Sequence, residues 1–233
     1  MTGHVYAPVP VSRDPTIADR LFLLAHNDQT GAPLTHLRLL GTTVAAAVLA
    51  EAMTYHWIND HEGNVLVVQR VPEGFARGVP DPARIPEADV MTWLLAMMCR
   101  EPAPLTIRDW LEYLTPITPE RVARRLILTG WVRSYGRRGV IARQAQPVFP
   151  APVQVAQVAV AIREQLRASA LTALDAVLLA LLARTAGLGD SVLWLGPDEA
   201  AYLDSRLPLL PRQLHALLGD TRAAAETTVV TRR

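Results

Sequence analysis

The chain has 233 residues, half of them apolar and 19% charged, with 23 basic against 22 acidic residues and a net charge of +1. That balance excludes a disordered chain, and the length is enough to bury a core without disulfides. One cysteine, Cys99, excludes a disulfide framework; in the apolar run Leu94–Met98 it reads as an inert core residue. Every basic residue is an arginine.

In chain order, residues 1–15 hold three prolines and little periodicity and read as a flexible leader. They lack the basic and apolar blocks of a signal peptide. TIADRLFLLAH, 16–26, predicts a short amphipathic helix, and NDQTGA, 27–32, a turn. A helix is predicted from Leu37 to His56, apolar nearly all round in VAAAVLAEAM and therefore central and buried. Glu51 lies inside it and requires a partner or a helix end. Residues 55–71 read as a hairpin, with Tyr55–Ile58 and Val65–Val71 as arms and NDHEGN as the turn. Residues 72–86 form a loop with four prolines.

From Glu87 the pattern turns helical: Glu87–Arg100, then Thr106–Leu114 capped by Thr106, then Thr118–Thr129 with Thr118 as cap, Pro119 in the first turn and Gly130 as terminator. Trp131–Tyr135 and Val140–Ala145 pair as strands across GRRG. Three or four helices follow over 152–218: Val153–Ser169, Leu171–Gly187, Pro197–Arg206 and Pro211–Leu218. DAVLLALLARTAGL is too apolar to face water and predicts a second central helix. The expected fold is mainly α, one helical domain over 16–218 with a central apolar helix bundle and two small β-hairpins, followed by a frayed tail over 219–233. No stretch reaches the roughly 18 uncharged apolar residues of a spanning helix. The chain reads as cytoplasmic.

Phosphate-cradling glycine loops, zinc-protease and serine-hydrolase motifs are absent, so an enzyme reading has no anchor. No cofactor is called for. His56, Asp60 and His61 around the first hairpin read as a polar turn rather than a metal site. Trp93, Trp110 and Trp131 read as core residues, and Trp57 and Trp194 as surface residues near turns.

One segment stands out. RVARRLILTGWVRSYGRRGVIAR, Arg121 to Arg143, holds seven arginines and no acid, and no acid appears before Glu164. It reads in three ways. It is a solvated face balanced by Asp109, Glu112 and Glu120. It is the second helix and wing of a winged-helix DNA-binding regulator, although ERVARRLILTG offers no Asn, Gln or Ser to base edges. Or it meets an anionic membrane, with Arg121, Arg124, Arg125, Arg137 and Arg138 drawing lipid phosphates and Val148 and Phe149 of PVFP as an apolar tip.

The order and spacing of LFLLAHNDQTG, VAAAVLAEAMTYHWI, RDWLEYL, ERVARRLILTGWV and DAVLLALLARTAGL resemble the Golgi phosphoprotein family of lipid-reading trafficking adaptors and their actinobacterial relatives, over about residues 16–218. The resemblance implies a non-enzymatic peripheral membrane protein at the inner face of the membrane. It also implies a basic pocket for phosphatidylinositol 4-phosphate and a hairpin that dips into the bilayer. The chain departs from the family at the pocket: its four headgroup positions fall on His36, Ala45, Pro116 and Pro119. The expected ligand is thus an anionic phospholipid headgroup held by charge. A protein partner and a homo-oligomer stay open.

Overall fold

The computed structural model describes residues 14–61, 63–67, 78–134, 148–168 and 173–230. The fold is mainly α. α1 (Ile17–Leu24) starts in a capping box, with the Asp19 N–H donating to Thr16 Oγ1 and the Thr16 N–H to Asp19. α2 (Leu37–Thr54) is the central helix; it packs on α1, on α4 (Ile107–Leu114), α5 (Thr118–Leu128), α7 (Leu174–Thr185) and α9 (Arg212–Val230). Its small residues make this possible. Ala45, Ala46, Ala47, Ala50 and Ala52 are all fully buried and let neighbouring helices approach closely. At Gly41 the approach is closest: a Cβ there would sit 2.3 Å from the Thr115 carbonyl oxygen at the end of α4. Among the described residues α2 alone is long and apolar enough to cross a membrane, but 78% of it is buried in the fold, which makes it a core helix. α7 is the second central helix, buried from Ala176 to Ala183.

Glu51 has the partner its burial demands. Its carboxyl accepts the Ile17 N–H at the start of α1, and burial pushes its pKa up to about 8. The neutral acid therefore serves as an acceptor for an otherwise unpaired helix-start amide.

Several elements differ from the sequence reading. The first hairpin pairs β1 (Ile58–His61) with β2 (Asn64–Val67), so Asn59, Asp60 and His61 belong to a strand and not to the turn. Turn-forming composition misled here because Gly63, at φ +85°, suffices for a tight connection. A third strand, β3 (Leu105–Thr106), pairs with β2. Within the 72–86 loop, Asp81 caps a single 3-10 turn at Pro82–Arg84 and Ile85 is buried. α3 (Val90–Arg100) is capped by Asp89. Thr106 caps α4 with a capping box, as its sequence predicts. Thr118, however, does not cap α5. Ile117 holds the N-cap position after a turn over 115–117, and the Thr118 hydroxyl donates back to the Leu114 carbonyl. α5 ends at Gly130, φ +80°, with the Trp131 N–H donating to Leu126 O.

β4 (Val132–Ser134) pairs with β5 (Val148–Pro150); the predicted partner strand, 140–145, lies outside the described residues. Proline at the end of a two-stranded ladder breaks no interior hydrogen bond. α6 (Pro152–Arg167), α7, α8 (Pro197–Arg206) and α9 complete the chain. α9 runs on to Val230, so 219–230 is helix and not a frayed tail. Leu218, Thr221 and Ala225 recur at helical spacing and are buried, and TRAAAET is good helix-forming sequence.

Candidate anionic-lipid surface

The arginines of α5 do not share one environment. Position 125 falls on the buried face with Thr118, Val122 and Leu126. The Arg125 Nε–H donates to Asp19 Oδ2 at 2.8 Å, and the guanidinium also reaches the carbonyls of Ala88 and Asp14 at 3.5 Å. At 8% exposure it is a structural ion pair tying α5 to α1, and it does not face solvent. The expectation that Arg125 meets a headgroup is corrected accordingly. Arg124 lies on the outer face but is held by two carboxylates, Glu87 and, at 2.6 Å, Glu120.

Arg121 is different again. Its guanidinium stacks 4.4 Å from the ring centre of Trp93, which is itself buried in the core. Its Nη1 is buried and has no hydrogen-bond partner among the described residues. Burial lowers its pKa, with Glu120 acting in the opposite direction. Trp93 was legible in the sequence as a core residue but not as a platform for this cation.

Arg137 and Arg138 lie outside the described residues. The β4–β5 ladder flanks their segment in the sequence. Val132 pairs with Pro150, Arg133 with Phe149 and Ser134 with Val148. Val148 and Phe149 are therefore residues of a paired strand, β5, and not of an unpaired tip. Arg133 is exposed on β4. Apolar exposure clusters at the same place. Leu128, at the end of α5, is 69% exposed and Val153, in the first turn of α6, is 67% exposed. Both lie within four residues of the Val132–Pro150 pair. Helical spacing of Glu120, Arg124, Ile127 and Leu128 reveals this outer stripe, a signal the apolar look of LILTG concealed.

That stripe also bears on DNA. The outer face of α5 presents Glu120, Arg124, Ile127 and Leu128. It carries no amide or hydroxyl to read base edges, and one of its members repels phosphate.

Of the four headgroup positions of the resemblance, two fall on α2 or its cap and two at the α4–α5 turn and the first turn of α5. His36 is the N-cap of α2, its Nδ1 accepting the Arg38 N–H at 3.3 Å. Ala45 is fully buried, Pro116 is exposed and Pro119 stands in the first turn of α5. None of the four supplies a cation to a phosphate. Around the first hairpin, no three metal-ligating side chains come together among the described residues.

No curated protein matches the chain. The family described as Golgi phosphoprotein 3 (GPP34) matches residues 17–228, from the first residue of α1 to near the end of α9. That span takes in both central helices, the basic α5 and the β4–β5 ladder, and the chain belongs to the Golgi phosphoprotein 3 family.

Proposed function

We propose that the chain is a non-enzymatic peripheral membrane adaptor that binds anionic phospholipid at the inner face of the membrane through the segment that leaves the β4–β5 ladder. The observation that supports this reading is the coincidence of charge and apolar exposure at the ladder. Arg133 is exposed on β4, Leu128 and Val153 flank its end, and the intervening sequence adds Arg137, Arg138 and Arg143 with no acid. Arginine charge near a membrane surface contributes about 1 kcal/mol per residue, and exposed aliphatic groups add burial in the interface. Neither suffices alone for stable binding; together they give reversible attachment. Arg121 on its Trp93 platform adds a partly desolvated cation on the first turn of α5.

The ligand follows from charge rather than from a shaped headgroup pocket, because Ala45, Pro116 and Pro119 provide no side-chain donors and His36 at most one imidazole N–H for a phosphoinositide. Co-sedimentation with liposomes of matched charge density tests this. Vesicles containing phosphatidylinositol 4-phosphate, phosphatidylglycerol or cardiolipin should all bind the protein at low salt and release it as salt approaches physiological strength. Strong preference for the phosphoinositide at equal charge would overturn the charge-only ligand. No binding to any vesicle would overturn the membrane role.

A further inference from the structure

Three ionisable side chains meet in the core between α1, α2 and α5. Asp19 is 2% exposed, Glu51 7% and Arg125 8%. Two are acids and one is a base, so the group is neutral only when one carboxyl carries a proton. Burial penalises any unbalanced charge. The geometry divides the roles. Asp19 Oδ2 accepts the Arg125 Nε–H at 2.8 Å and the Thr16 N–H at 3.0 Å. Glu51 lies beside this ion pair and accepts the Ile17 N–H. Burial, helped by the Asp19 charge, pushes its carboxyl up to about 8 against the opposing pull of the Ile17 N–H, Thr16 and Arg125. The proton that balances the group therefore belongs to Glu51.

Asp19 from α1 and Arg125 from α5 are the charged groups acting on Glu51. The other elements packed on α2 bury Leu94 of α3, Leu114 of α4, Leu182 of α7, Leu217 of α9 and Ile58 of β1 in the shared core. Asp89, at the cap of α3, holds the Thr92 N–H, and His26, beyond the end of α1, is bonded to the Phe22 carbonyl. The approach to α1 hangs on the three-residue cluster. Arg125 reaches the Asp14 carbonyl, Asp19 takes the Thr16 N–H, and Glu51 takes the Ile17 N–H, a first-turn amide with no acceptor inside its own helix. Asp14 itself is exposed, so this stretch sits between solvent and the core.

We propose that Glu51 is a proton-operated latch: protonated, it fastens the start of α1 to α2, and without its proton it lets residues 14–20 open while the rest of the fold stays closed. Opening hydrates Glu51 and restores its ordinary carboxyl value of 4.5, so opening releases a proton at any pH between about 4.5 and about 8. The latch is strongest below about pH 4.5 and weakens as pH rises through about 8. Across that window the opening constant rises about tenfold per pH unit. The device is separate from the β4–β5 ladder and does not depend on lipid binding.

The test is backbone amide exchange on the full chain by NMR at about pH 5.5, 6.5 and 7.5, corrected for the intrinsic pH dependence of exchange. Protection of the Ile17, Asp19 and Arg20 amides should fall about tenfold per pH unit in the parent chain. It should stay level in Glu51→Gln, whose side chain keeps an acceptor and never ionises. The same amides should stay below the protection of the α7 amides 176–183 at every pH, which marks a local opening rather than unfolding of the whole chain. Carbon-13 titration of the Glu51 carboxyl in the parent chain, which needs no variant, should show a midpoint of about 8. Level protection in the parent, an equal fall in Glu51→Gln, protection equal to that of α7, or a Glu51 midpoint in the ordinary carboxyl range would each overturn the latch.

Discussion

The two halves of the arginine-rich segment do opposite things with the same residue. In the helix half, Arg125 is buried against Asp19, Arg124 is held by Glu87 and Glu120, and Arg121 lies on Trp93. In the hairpin half, Arg133 is exposed on β4 and the sequence supplies no acid from there to Arg143. Formal charge is equal in kind, but the fold ties up that of the first half, while Arg133 of the second is exposed. A count of arginines measures charge, while the fold decides how much of it is available.

The comparison breaks most visibly at Arg125. Arg125→Met should destabilise the protein by about 3–5 kcal/mol in urea unfolding, because it leaves Asp19 charged and buried. Pairing it with Asp19→Leu should recover much of that loss. A small effect of the single variant would mean that this arginine is not part of the core.

Glu51 sharpens the same region through pH. Its folded value of about 8 lies above the ordinary carboxyl value of 4.5. The protonated form is favoured by folding, so its contribution is complete below about pH 4.5 and is lost as pH rises through about 8. Glu51→Gln keeps an acceptor for the Ile17 N–H and should flatten that decline, gaining most on the parent at pH 9. Parallel stability–pH profiles for the two proteins would contradict the buried neutral acid.

In the hairpin half, Arg137→Ala with Arg138→Ala should weaken binding to acidic vesicles by roughly 30-fold, on about 1 kcal/mol per arginine, without moving the unfolding midpoint. The smallest effect belongs to Arg124→Ala. Its two ion pairs are half-exposed, and its loss should cost under about 1 kcal/mol of stability and little vesicle affinity.

Much of this architecture is legible in the sequence because local rules and global fold agree. The all-round apolar pattern of 37–54 and 174–185 marks the two central helices, and Thr106 and Gly130 mark helix ends through capping chemistry. The misses have equally local causes. Asn59, Asp60 and His61 look like a turn, yet cross-strand pairing with Val65 and Leu66 outweighs that propensity. Leu218, Thr221 and Ala225 carry the helix that seemed to fray, but a mild apolar stripe in an alanine-rich run gives no strong signal. Arg125 was unreadable as a core residue because its partner lies 106 positions earlier in the chain. Spacing along one helix assigns its buried face; it does not reveal which acid waits there.

The most direct test compares three proteins on phosphatidylglycerol vesicles at low and physiological salt: the parent chain, Arg124→Ala, and the Arg137→Ala, Arg138→Ala double variant. The parent and Arg124→Ala should bind alike at low salt and fade together as salt rises, while the double variant should bind weakly throughout. Full binding by the double variant, or a greater loss in Arg124→Ala, would contradict the division of the segment into a structural helix and a membrane-facing hairpin.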